Sequence, residues 1–244
     1  MTRRIPAARP HGELENVLPD VFLVTGTIGM GPMRFSRNMV VIRQGDELVL
    51  VNTVRLNDAG LAALDALGKV THVIRLAGFH GSDDPFYKDR YGCTVSAVRG
   101  QTYFTGINPK KGTVYFTPDE FLDSDSPLPV DGASLYVFNT EPAEGILRIP
   151  AGGGTLIAGD SLQNFGKADR FFNFPGKLIM RFMGFLKPHQ LGPAWVKQIK
   201  PEPAEVSGVL ELDFANVLPS HGAPVLGDAR DKYGPTVRAY TRGK

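Results

Sequence analysis

Short apolar runs rich in Val, Ile and Leu recur at 21–24, 39–43, 47–51, 70–76 and 93–98, each bounded by Gly, Pro, Asn, Asp or Ser, and this pattern predicts β-strands. Gln44-Gly45-Asp46 between the second and third runs has the spacing of a hairpin with a glycine turn. The glycine-rich stretch 26–32 predicts a loop. The period becomes helical after Asn57, an N-cap residue, with Leu61, Leu64 and Leu67 on one face and Gly68 closing the helix. A shorter helix is predicted over 86–91, with Asp84 as its N-cap and Pro85 in its first turn.

In the second half, 108–129 is rich in Pro, Asp, Ser and Gly and predicts a loop carrying one weak helix at 119–122. The runs 134–138, 145–149 and 155–158 predict three consecutive strands of a second sheet. Residues 177–187 are apolar nearly all round, which predicts a buried helix. Helices follow at 193–199 and 204–210, separated by Pro201 and Pro203, so that 165–212 forms a helical cover. A last strand at 216–218 and a helix over 228–240, interrupted at Gly234-Pro235, complete the chain.

Length and charge narrow the class. At 244 residues and 42% hydrophobic composition, the chain fits one large α/β domain, 19–244, preceded by a mobile arm, 1–18. The arm carries Arg3, Arg4 and Arg9 without an apolar segment behind them, so it does not read as a secretory signal. Lys and Arg total 27 against 25 Asp and Glu, and no basic patch is interleaved with aromatics, which argues against nucleic acid. Cys93 stands alone, which excludes an intrachain disulfide or a thiolate cluster and points to a reducing cytoplasm. No run reaches membrane-spanning length.

The candidate chemistry sits where predicted strands end: His80, Asp83 and Asp84 after the 70–76 run, Asp160 after 155–158, and His221 after 216–218. In α/β folds strand ends meet at one rim, so these groups form a candidate nitrogen and oxygen shell for zinc, iron or manganese. Such an ion with an open position brings the pKa of a bound water toward neutrality. Each residue also has a plain structural use. The two aspartates before Pro85 could cap a helix, a contribution of ~1 kcal/mol; Asp160 could close an Asx turn; the histidines could be hydrogen-bonded loop residues.

The order of features resembles the metallo-β-lactamase fold over roughly 20–230. The resemblance is carried by the Asn38-led hairpin ending in Asn52-Thr53, the strand leading into the His/Asp loop, Gly159-Asp160, and Pro219-Ser220-His221-Gly222. It implies a four-layer αβ/βα sandwich of two mixed β-sheets flanked by helices, with Asp160 as the bridging aspartate and His221 as the final histidine. Against the family's H-x-H-x-D-H loop, one register gives His80, Ser82, Asp84 and Pro85, and the other gives Gly78, His80, Ser82 and Asp83. No histidine occurs in 139–144, so the first of the family's two metal positions is dismantled. The second is expected to survive on Asp83 or Asp84, Asp160 and His221, with His80 as a ligand or in acid-base work and Asp84 beside it in the reaction.

Two functions remain open on this reading. One is a single-metal hydrolase of an ester, thioester, lactone or phosphoester in a small molecule. The other is a metal-free binding or scaffold protein that recognises an apolar ligand, or pairs as a homodimer, through the Phe-rich segment. A membrane-surface role is weakly supported by Lys177, Arg181 and Lys187.

Overall fold

A computed structural model describes residues 5–106 and 112–243. The apolar runs assemble into a seven-stranded sheet ordered β1 (Glu15–Leu18), β2 (Val21–Met30), β3 (Met33–Gln44), β4 (Glu47–Val51), β5 (Lys69–Arg75), β6 (Thr94–Val98) and β9 (Glu120–Leu122). The first four strands pair antiparallel and the rest are parallel. Two short strands, β7 (Tyr103–Phe104) and β8 (Val114–Phe116), pair antiparallel outside it. The second sheet runs β10 (Ser134–Phe138), β11 (Glu144–Ile149), β12 (Thr155–Ala158), β15 (Asn216–Pro219), with only the last pair parallel. A further small pair joins β13 (Leu162–Gln163) to β14 (Gln190–Leu191).

Alternating side chains sort the core into layers. Val21, Val40 and Ile74 of the first sheet meet Leu147, Ile157 and Leu218 of the second in the central layer. On the outer face of the first sheet, Val41 and Leu50 pack with Leu64 of α1 (Asp58–Leu67) and Tyr87 of α2 (Asp84–Tyr91). On the outer face of the second, Leu156 packs with Trp195 of α4 (Pro193–Ile199), Val206 of α5 (Pro203–Gly208) and Tyr233 of α6 (Ala229–Arg242). This is the expected αβ/βα sandwich. A remaining helix, α3 (Phe174–Phe182), rests on β3. Among the described residues no helix is long and apolar enough to cross a membrane.

Several sequence expectations change. The predicted loop 26–32 is strand as far as Met30, because Gly26 serves close packing: a Cβ there would meet Val54 Cγ1 at 2.3 Å. The weak helix at 119–122 is strand β9, registered on β6, with Val95 N donating to Asp119 Oδ2 at 2.7 Å. The first residue of α2 is Asp84, so Asp83, not Asp84, holds the N-cap position, and it makes no side-chain cap bond. The predicted break at Gly234-Pro235 lies inside a continuous α6. Within 1–18, Thr27 Oγ1 donates to Pro10 O, Gly12 N donates to Thr25 O, and Glu15–Leu18 pairs with β2. Arg3 and Arg4 lie outside the described residues.

The Phe-rich segment is not buried all round. Met180 and Phe185 pack against Phe35, Phe165 and Phe172, whereas Phe174 and Phe182 are 77% and 83% exposed. Phe174, Leu178 and Phe182 recur every fourth residue, so they share the helix face opposite the one laid on β3.

Candidate metal centre

The ends of β5, β12 and β15 bring three of the five sequence-predicted residues together. His80 Nε2 lies 3.2 Å from His221 Nε2 and 3.6 Å from Asp160 Oδ1, and His221 Nε2 lies 3.2 Å from the same Oδ1. All three side chains are buried. Ligand atoms placed tetrahedrally at metal distances of about 2.0–2.1 Å stand roughly 3.3 Å apart, so the observed triangle suits one ion of zinc's size. The three residues form the only His, Cys, Asp or Glu group of this kind among those described.

His221 is aimed by its surroundings, whereas His80 Nδ1 is buried without a hydrogen-bond partner. His221 Nδ1 donates to Ser36 O at 2.9 Å, which leaves the Nε2 lone pair facing the triangle. Its ring lies between Phe35 and Phe165, with centroids at 5.8 and 5.7 Å. Burial lowers the His80 pKa below its ordinary value, against the pull of Asp160. Burial pushes the Asp160 carboxyl up, but the neighbouring His80 and His221 outweigh it and hold it well below the usual carboxylate range.

The loop behind His221 is tied to the first sheet by side-chain amides. Asn38 Nδ2 donates to Pro219 O at 2.8 Å and to Gly222 O at 2.7 Å, while Asn38 Oδ1 accepts from Thr25 Oγ1 at 2.9 Å. Asn52, at φ +53°, donates to Ser220 Oγ at 2.8 Å and accepts from Leu76 N at 2.9 Å, so it joins the β5 and β15 ends. Gly222 is required by close approach: at φ +93°, a Cβ would stand 2.0 Å from Asn164 O. Asn38→Ala is expected to cost about 2–3 kcal/mol, because two buried carbonyls lose their donor. Urea denaturation checks this, and an unchanged midpoint would show that the amide does not tie the sheets.

Asp83 and Asp84 lie outside the triangle in this structure, and each has partners of its own. Asp83 is held by an ion pair with Arg37 and by Arg55 N at 2.8 Å. Asp84 is wholly enclosed and accepts from Thr53 Oγ1 and from Tyr103 OH, the latter at 2.6 Å. Burial raises its pKa despite those hydrogen bonds.

Other buried groups carry no motif. Glu144, buried beside Asp160, accepts from Ser161 N at 2.7 Å, and burial followed by the Asp160 charge raises its carboxyl well above the usual range. It holds the turn after Asp160 through that bond. Arg37, Arg55 and Arg75 line the cavity onto which the triangle opens. For Arg37 and Arg75 the one sequence signal is a guanidinium on the apolar strands β3 and β5, a placement that demands a partner; Arg55, in the turn after β4, carries none. The cavity measures about 1200 Å³, and its other wall is apolar, including Phe35, Phe165, Met180 and Phe185.

Comparison with solved structures places the fold. The chain is similar to the metallo-β-lactamase FIM-1 from Pseudomonas aeruginosa, solved in a mono-zinc form, at 12% identity and TM-score 0.63, covering 98% of this chain and 99% of that one. It is similar to a metallo-β-lactamase from Hirschia baltica at 16% identity and TM-score 0.58, covering 93% and 97%. A metallo-β-lactamase from Pontibacter korlensis gives 14% identity and TM-score 0.58, covering 93% and 98%. No protein-family model and no curated protein sequence matches the chain.

Proposed function

From the metallo-β-lactamase fold as premise, we propose that the protein is a single-metal hydrolase acting on an ester, thioester, lactone or phosphoester of a small molecule. The observation that carries this reading is the triangle of His80, Asp160 and His221 donor atoms opening on the large cavity. A zinc, iron or manganese ion held by those three residues supplies Lewis acidity and a nucleophile at neutral pH.

The chain's own groups do the rest. Ser36 O accepts from His221 Nδ1 and so orients that ring, while Glu144 keeps the Asp160 turn in place by accepting from Ser161 N. Phe35, Phe165 and Trp195 keep water from one side of the cavity, and Gln163 offers a side-chain oxygen without a hydrogen-bond partner at its lining.

Protein purified without chelator is expected to carry close to one equivalent of a transition metal by elemental analysis, and to hydrolyse at least one member of a panel spanning the four bond classes. Less than about a tenth of an equivalent, with no reconstitution by zinc, iron or manganese, would exclude a metalloenzyme. That outcome would favour the second reading, a metal-free binding protein, which the exposed Phe174, Leu178 and Phe182 stripe supports.

A further inference from the structure

The cavity's charge is lopsided. The charged residues on its lining are Arg9, Arg37, Arg55 and Arg75 against Asp83 and Asp160. Asp160 is already committed to two imidazoles, and Asp83 is shared between the Arg37 side chain and the Arg55 backbone. The excess is positive before any metal is added.

Nor are the arginines satisfied. Arg37 is 4% exposed, spends Nη2 on Asp83, and leaves Nε and Nη1 without a partner. Arg55 stacks its guanidinium 3.0 Å from the Phe86 ring centroid and also leaves Nε and Nη1 unpartnered. Arg75, 2% exposed, donates to the carbonyls of Ala77 and Gly78 and leaves Nη1. Buried donors of this kind are rarely left orphaned in proteins, and the planar guanidinium fork matches carboxylate and phosphate oxygens.

Position separates charge from grease. The Arg37 guanidinium and the Arg55 backbone N–H meet on Asp83, three residues beyond His80, whereas the Phe35, Phe165 and Met180 cluster borders the opposite member of the triangle, His221. The candidate centre thus stands between a cationic end and an apolar end of one cavity. Resting on the reading of this cavity as the substrate site, we infer that its occupant is an anionic amphiphile. Its carboxylate or phosphate headgroup lies on Arg37 and Arg55, and its apolar chain runs along Phe35, Phe165 and Met180. The hydrolysed bond lies between the two.

Trp195, the chain's single tryptophan, is buried and lines the cavity, so its fluorescence reports occupancy. Octanoate, octyl phosphate and octanol are titrated, below their micelle concentrations, into chelator-treated full-length protein. Both or one of the anions should bind at least about tenfold tighter than octanol, and the stronger of the two identifies the headgroup. Arg55→Gln, at a partly exposed position whose loss leaves no buried carboxylate bare, should abolish that preference while leaving octanol binding unchanged; Arg37→Gln should do the same if it folds. Equal binding of octanol and the anions, binding of none, or a preference that survives Arg55→Gln would overturn the inference. So would loss of the preference in His221→Ala, which would assign the anion to the triangle. Absence of metal from the purified protein would defeat the hydrolase reading alone and leave the anion preference standing.

Discussion

His221→Ala is expected to remove bound metal, lowering affinity by at least roughly a hundredfold, and to abolish hydrolysis. The reason is geometric. With His221 gone, two donors remain, His80 Nε2 and Asp160 Oδ1, 3.6 Å apart, and two side-chain donors fall short of the three that catalytic zinc sites retain. The same substitution deletes the Nδ1 bond to Ser36 O and the ring between Phe35 and Phe165, so a stability loss of about 1–3 kcal/mol accompanies it. Elemental analysis and a melting curve on the same sample separate the two effects. Full metal occupancy with an unchanged rate would show that His221 is not a ligand, and a folded protein without metal is the expected result.

Asp84→Ala should do the opposite: destabilise the fold by about 2–5 kcal/mol, as two buried hydroxyls lose their acceptor, and leave metal content intact. Its carboxylate is completely enclosed and accepts from Thr53 Oγ1 and Tyr103 OH, with the Arg75 guanidinium 4.1 Å from the Tyr103 ring centroid. Removing the acceptor strands two hydroxyl donors. The melting temperature should fall by on the order of ten degrees. Asp84→Asn, which keeps an acceptor oxygen in the same volume, should cost less. If Asp84→Ala instead lost metal and kept its melting temperature, Asp84 would belong with the ligands after all.

The contrast between these two residues shows what a strand-end reading can and cannot separate. His80, Asp83 and Asp84 lie within five positions of one another, and each is a chemically competent ligand. Which of them turns inward depends on neighbours that are distant in sequence. Arg37 and the Arg55 backbone capture Asp83, Thr53 and Tyr103 capture Asp84, and only His80 is left to face Asp160 and His221. Arg37, Arg55 and Arg75 carry no motif, so their meeting at one cavity was invisible until β3, β5 and the turn after β4 were side by side.

The strand runs, the hairpin at Gly45, the Asn57-capped helix and the strand-end positions of Asp160 and His221 are local properties of the chain. Period, turn chemistry and capping are written in neighbouring residues, and so most strands of the two sheets could be read directly. Tertiary structure decided the rest. It extended β2 through a glycine-rich stretch because Val54 packs on Gly26, turned half of the Phe-rich helix to solvent because only one face rests on β3, and sorted the aspartates. Side-chain partnership in a buried site is set by long-range competition among donors and acceptors, and no window of sequence contains the competitors.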